Sequence, residues 1–114
     1  MKVINRDKGP VYQGDLAIIP VDEIPSDVVE AKSEGENHIV AHSETGHHHV
    51  VPTRMAKLYV VSAMMSYLRV VAEQANLQHL RPYDTHETVA LPKGDYQLLR
   101  QREGAPEGWR QVAD

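Results

Sequence analysis

Short apolar runs separated by turn-forming residues recur along the chain, and this pattern predicts β-strands. Residues 16–21 form an apolar run bounded by Gly14-Asp15 on one side and by the polar residues 22–27 on the other. Such a bounded run is typical of a buried strand. Residues 88–91 and 96–101 predict two more strands on either side of Pro92-Lys93-Gly94-Asp95, which is a turn signature.

Residues 37–52 predict a β-hairpin. Its arms are residues 38–42 and 47–51, which carry β-branched residues on both sides of Thr45-Gly46. Glycine accepts the positive φ that tight hairpin turns need. We therefore expect Thr45-Gly46 to form the turn.

Residues 55–79 support two interpretations. Residues 58–61 and 67–71 are β-prone runs on either side of residues 62–66, which favours two strands with a turn. The same region also contains many good helix formers, so the alternative is one helix packed on the sheet.

Several short strands with glycine and proline turns predict an all-β fold, either a small β-sandwich or a cupin-like barrel. The chain has 114 residues and no long low-complexity segment, which indicates a single domain over 1–114. The core is expected to consist mainly of Val, Leu, Ile and Met, because the chain has no Phe.

Composition excludes several classes of function. The chain has a formal net charge of −4 and mixed charges, which argues against nucleic acid as its main partner. The most apolar stretch, residues 58–72, is interrupted by polar residues and too short to span a bilayer, so no membrane partner is expected. Residues 1–8 are polar and lack an apolar signal core, so we expect a cytoplasmic protein.

The absence of cysteine restricts any metal site to nitrogen and oxygen ligands. Such ligands favour zinc, nickel, iron, manganese or copper(II) over copper(I). The chain also lacks a glycine-rich phosphate loop, Gly-x-Ser-x-Gly and His-Glu-x-x-His.

Four of the seven histidines lie within residues 42–49, around the predicted Thr45-Gly46 turn. Imidazole is a frequent ligand of transition metals. With a two-residue loop, side chains that alternate along the arms leave four donors on one face of the hairpin. These donors are His42, Glu44, His47 and His49.

In this register His42 faces His49 and Glu44 faces His47, with Cβ atoms about 5 Å apart. A three-residue turn would shift the pairing, but His47 and His49 share a face in any straight strand. His48 is expected on the opposite face.

A complete metal site needs a ligand from elsewhere in the chain. His86 is the best candidate because it opens the strand before the Pro-Gly turn, and His79 is the second, with Glu73 and Glu87 behind them. The predicted ligands are therefore His47, His49 and His86, with His42 and Glu44 as ligands or their neighbours. Glu44 could bind the metal, orient an imidazole or act as a general base, and its alternative is an ordinary cross-strand partner of His47. Whether the protein is an enzyme stays open.

Two other functions fit the same residues. One is a non-enzymatic structural or interaction module, phage- or plasmid-associated, whose histidines form a surface or pH-responsive cluster. The other is a barrel that binds a small anionic molecule through protonated histidines. Exposed edge strands favour a homodimer.

Two resemblances extend these predictions. His47-x-His49 with the distant His86 resembles the cupin metal site, in which a His-x-His pair, a Glu and a later His line a small barrel. Cupins have the Glu several residues after the second His, where this chain has Val50-Val51-Pro52-Thr53.

The chain also resembles a group of small uncharacterised bacterial and phage-borne proteins. The pieces that carry this likeness are Gln13-Gly14-Asp15, Glu44-Thr45-Gly46-His47-His48-His49, and His86 through Leu91-Pro92-Lys93-Gly94-Asp95-Tyr96 to Arg100-Gln101-Arg102-Glu103. The likeness implies an all-β fold and no particular activity.

Overall fold

The computed structural model describes residues 1–41, 48–79 and 88–101, and these residues form strands and no helix. The predicted all-β fold is confirmed. No helix long and apolar enough to cross a membrane occurs in the described part of the chain. The strands are β1 (Lys2–Val3), β2 (Val11–Gln13), β3 (Leu16–Val21), β4 (Val29–Glu30), β5 (Asn37–Ala41), β6 (His49–Pro52), β7 (Ala56–Val60), β8 (Met65–His79) and β9 (Val89–Arg100).

The ambiguous region 55–79 folds as two antiparallel strands, β7 and β8, with Leu58 opposite Leu68. The helix alternative is wrong. Along the first half of β8, Ser66, Leu68 and Val70 are buried while the residues between them are more exposed. This period of two buries one face of a strand, whereas a helix would need a period of 3.6.

The strands form one open sheet in the order β2-β3-β9-β8-β6-β5. β7 pairs with the first half of β8, β4 pairs with β7, and β1 pairs with β9. Among the described residues, every strand pair is antiparallel except β1–β9. This arrangement is consistent with a small β-sandwich.

The two long strands, β8 and β9, run through both halves of the sheet. The register between β8 and β9 shifts between Val70, opposite Gly94, and Gln74, opposite Pro92, so β8 has extra residues at this point. Such a bulge bends the strand and increases its twist. Before the bulge β8 pairs with β7, and after it β8 pairs with β6.

An apolar cluster of described residues fills the space between the halves. Its members come from both of them and include Leu16, Ile18, Val51, Leu58, Leu68, Leu77, Leu91, Tyr96 and Leu98. Burial of this shared face is the main force that holds the two halves of the bent sheet together.

The predicted turn at Pro92-Lys93-Gly94-Asp95 is wrong, because these residues lie inside β9. Pairing with β8 overrides their local turn preference, since the bulge in β8 lies opposite them. Gly94 has a φ of 144°, and a Cβ there would lie 2.6 Å from Nη1 of Arg6. Glycine therefore allows the Arg6 side chain to cross β9 at the bend.

Arg6 ties the N-terminal segment to this bend. Its Nη1 donates to the carbonyl of Asp95 at 3.0 Å, and its Nη2 donates to the carbonyl of Val21 at 2.8 Å. The guanidinium lies 4.8 Å from the centre of the Tyr96 ring, a cation–π contact.

Tyr96 is fully buried, and its hydroxyl donates to the carbonyl of Pro92 at 2.5 Å. Burial raises the pKa of Tyr96, and Arg6 offsets part of that rise. A pKa raised by folding contributes stability below the unfolded value of about 10 and loses it as pH rises through the folded value. The unfolding free energy is therefore expected to fall above about pH 10.

Tyr96→Phe is expected to weaken this alkaline loss and to cost about 1 kcal/mol at neutral pH, because one hydrogen bond disappears. Urea unfolding between about pH 7 and about pH 11 measures both effects. Tyr12→Phe, at an exposed position, is the matched control and should keep the wild-type profile. Equal alkaline losses in wild type and Tyr96→Phe would contradict the assignment.

Candidate functional site at the His49 end of the sheet

Most of the predicted metal ligands lie outside the described residues. His42, Glu44, His47 and His86 are in this group, together with the predicted Thr45-Gly46 turn, so their grouping stays a prediction. His49 is the predicted ligand whose surroundings the structure describes.

The predicted antiparallel pairing of the two arms is confirmed, but the predicted register is wrong. Ala41, and not His42, lies opposite His49, and His38, not Val40, lies opposite Val51. A β-bulge between Ile39 and Ala41 adds a residue to β5 and shifts the pairing. Residues 42–48 lie between the members of this last described pair, and the predicted Thr45-Gly46 turn among them lies outside the described residues.

The His49 side chain is buried and bridges two distant parts of the fold. Only 2% of the residue is exposed. Its Nδ1 lies 2.8 Å from Oε1 of Gln13, and its Nε2 lies 3.2 Å from Oδ1 of Asp15. Since Gln13 ends β2 and Asp15 follows it in the turn to β3, His49 links β6 to the β2–β3 hairpin.

Gln13 determines which nitrogen of His49 carries a proton. Its Nε2 donates to the backbone carbonyl of Leu77 at 2.9 Å, so its Oε1 is the atom that faces His49. An amide oxygen only accepts, and Nδ1 of His49 must therefore be the donor. Gln13 is itself buried, with 2% exposed, which holds this orientation.

The contact between Nε2 of His49 and Asp15 then needs a proton or a metal ion between the two atoms. With its proton on Nδ1, a neutral imidazole would turn the lone pair of Nε2 toward a carboxylate oxygen. Such a contact is favourable only when a proton or a metal ion lies between the two atoms. This atom pair is the chemically distinctive feature of the site.

Arg100 holds the other oxygen of the same carboxylate. Its Nε lies 3.1 Å from Oδ2 of Asp15, and both side chains are partly exposed. The guanidinium orients the carboxylate so that Oδ1 faces His49. A metal ion at Oδ1 would therefore compete with the positive charge of Arg100 for the same carboxylate.

His79 packs against His49. The two residues are cross-strand partners in β8 and β6, and their rings stack with centroids 4.0 Å apart and an interplanar angle of 9°. Ring nitrogens bind metals in the plane of the ring, about 2.0–2.1 Å from the ion. Nearly parallel, stacked planes do not converge on one ion, so in this arrangement the two rings cannot share a metal.

Within residues 1–41, 48–79 and 88–101, no group of three or more histidines and carboxylates is arranged to hold a metal ion. A metal site here therefore needs ligands from the remaining segments of the chain.

Sequence reasoning missed three residues of this site: Gln13, Asp15 and Arg100. Gly14 has a φ of 58° and makes the tight turn between β2 and β3, and sequence reasoning used it only as a strand boundary. The pieces that carry the resemblance to the bacterial and phage-borne proteins were the available signal. The three pieces contain Asp15, His49 and Arg100, respectively, and these three residues meet at this site.

The comparisons with known proteins identify a family and no function. No curated protein and no solved structure matches the chain. The cupin-like site and the phage origin stay predictions, because the family description carries neither. A model described as a domain of unknown function, DUF8820, matches residues 12–101, which span both Gln13 and Arg100. The chain belongs to this family.

Proposed function

We propose that the protein binds a divalent transition metal at the His49 end of the sheet. Nε2 of His49 and Oδ1 of Asp15 are two of the ligands, and zinc, nickel, iron and manganese are the candidate ions. The observation that carries the proposal is the orientation of His49 by Gln13, which turns Nε2 toward a carboxylate.

The separation of the two proposed ligand atoms supports a shared ion. Nε2 and Oδ1 are 3.2 Å apart, longer than the 2.7–2.9 Å typical of a charge-assisted hydrogen bond. Two ligands of a tetrahedral zinc lie roughly 3.3 Å apart, given zinc–nitrogen and zinc–oxygen bonds of about 2.0–2.2 Å. An ion can therefore replace the proton with only a small displacement.

The surroundings also resemble those of metal-bound histidines in general. Such a histidine usually donates its second ring N–H to an oxygen, and ligating carboxylates are usually hydrogen-bonded as well. Gln13 supplies the oxygen for His49, and Arg100 supplies the hydrogen bond to Asp15.

The chain connections supply the further donors. Residues 42–47 precede β6 and residues 80–87 follow β8, and these segments are attached near the His49–His79 pair. His47 is two residues from His49, so their Cα atoms are within about 7 Å of each other. His47, His86, His42 and Glu44 are the proposed additional ligands.

Metal titration of the untagged protein tests this proposal. Zinc is expected to bind at one ion per chain, and His47→Ala or His86→Ala is expected to weaken binding by more than about 100-fold, because each removes a direct ligand. His48→Ala is the matched control from the same triple-histidine run and should keep wild-type affinity.

Two results would contradict the proposal. The first is no zinc, nickel, iron or manganese bound at stoichiometric level. The second is equal weakening by His47→Ala and His48→Ala, which is the behaviour of an exposed histidine run that binds ions without a built site.

The second candidate function is a non-enzymatic structural or interaction module. The same geometry favours it when a proton, and not a metal ion, lies between Nε2 of His49 and Asp15. The buried network then links β6 to β2 without any metal. Absence of metal from a folded, stable protein supports this function. The homodimer, the small-molecule ligand and the cytoplasmic location stay predictions.

A further inference from the structure

A second histidine, His38, forms a hydrogen-bonded chain with a serine at a different place in the fold. His38 lies in β5 and is 5% exposed. Its Nε2 lies 2.8 Å from the backbone carbonyl oxygen of Ala56, and its Nδ1 lies 2.6 Å from Oγ of Ser33. Ser33 is a partly exposed residue of the connection between β4 and β5.

The backbone carbonyl determines the direction of both hydrogen bonds. A carbonyl oxygen only accepts, so the proton of a neutral His38 is on Nε2. Nδ1 then carries a lone pair, and the Ser33 hydroxyl donates to it. The hydroxyl proton is therefore directed at a base that a third group orients, which is the general arrangement of an activated nucleophile.

The loop that carries Ser33 is held in position by Thr53, which lies in the turn between β6 and β7. Oγ1 of Thr53 donates to the carbonyls of Gly35 and Glu36, both at 3.1 Å. The backbone N–H of Thr53 also donates to the carbonyl of Glu36 at 2.8 Å. Gly35 has a φ of 90°, which allows the turn that returns the chain from Ser33 to His38.

We propose that Ser33 is a nucleophile that His38 activates as general base, and that it accepts acyl groups from small uncharged carboxylic esters. The exposed carboxylates Glu34 and Glu36 adjoin Ser33 and disfavour anionic substrates. This proposal uses none of the residues of the proposed metal site and does not depend on it.

The reaction balances with water as the only co-reactant. Oγ of Ser33 attacks the ester carbonyl, and its proton passes to Nδ1 of His38. The carbon–oxygen bond to the alcohol then breaks, and the alcohol leaves with that proton. Water attacks the acyl-serine in the same way and gives a proton to His38, which returns it to Oγ as the carboxylic acid is released.

Acetylation by p-nitrophenyl acetate tests the proposal on the full chain. With EDTA present, Ser33 is expected to be acetylated on the order of 10²-fold faster than Ser62, as judged by peptide mass spectrometry. Ser62 is the matched control, because it is exposed and its Oγ accepts from the backbone N–H of Met64. Ser33→Ala should abolish the p-nitrophenolate burst, and Ser62→Ala should retain it.

His38→Gln should slow acetylation of Ser33 by a similar factor where the variant keeps the wild-type circular dichroism. If that variant does not fold, the comparison of Ser33 with Ser62 in the wild-type chain still decides. Equal acetylation of the two serines, or a burst that survives Ser33→Ala, would overturn the proposal. Because EDTA removes free metal, neither result bears on the metal site.

Discussion

Replacement of Leu98 by alanine is expected to lower the unfolding free energy by about 2–5 kcal/mol, the cost of a large-to-small change in a closed core. Leu98 lies in β9 with Ile18 opposite it in β3 and Ser66 opposite it in β8. It is 1% exposed, and both neighbouring strands restrict collapse around the cavity. Urea unfolding at neutral pH measures the loss.

Leu99→Ala is the matched control because it makes the same chemical change one residue further along β9. Successive side chains of a strand point to opposite faces, and Leu99 is only partly buried. We expect a smaller loss of about 1 kcal/mol. Equal losses for Leu98→Ala and Leu99→Ala would contradict the proposed separation of a buried face from an outer face.

Gln13→Leu is expected to lower the unfolding free energy by about 2–4 kcal/mol, although leucine has nearly the same size. The change leaves the carbonyl of Leu77 and the Nδ1–H of His49 without the partner that Gln13 supplies, and both are buried. Each buried polar group left without a partner costs about 1–3 kcal/mol.

Gln78→Leu is the matched control at an exposed position of β8 and should change stability by no more than about 0.5 kcal/mol. Gln13→Leu should also weaken zinc binding by about 10–100-fold, because it removes the group that orients His49. Unchanged stability and unchanged zinc affinity in Gln13→Leu would show that Gln13 does not orient His49.

Local sequence patterns correctly predicted the strands whose buried residues coincide with the apolar positions of the pattern. Residues 16–21 were predicted as a buried strand, and β3 has these bounds. The two strands favoured for residues 55–79 were also confirmed, because β-branched and aromatic residues there alternate between faces.

Patterns failed where a distant strand determines the conformation. Pro92-Lys93-Gly94-Asp95 carries turn residues, but the bulge in β8 and the side chain of Arg6 make it a bend within β9. The register of β5 and β6 depends on a bulge between Ile39 and Ala41 that no local signal marks. Both failures arise from tertiary pairing that overrides local preference.

The candidate site also combines a residue that a local pattern predicts with residues that only distant strands bring together. A count of histidines selected His49, which the structure places in a buried polar network. Asp15 and Arg100 could not be assigned to that network from the sequence, because they are 34 and 51 residues from His49 and adjoin it only through the sheet order.

X-ray absorption at the zinc edge, on untagged protein loaded with one equivalent of zinc, tests the metal site most directly. The proposed site predicts a shell of nitrogen and oxygen atoms at about 2.0–2.1 Å with the scattering pattern of at least two imidazoles. It also predicts that Asp15→Asn changes this shell, because Oδ1 of Asp15 is a proposed ligand. A spectrum of hydrated zinc without imidazole scattering would contradict metal binding by His49 and its proposed partners.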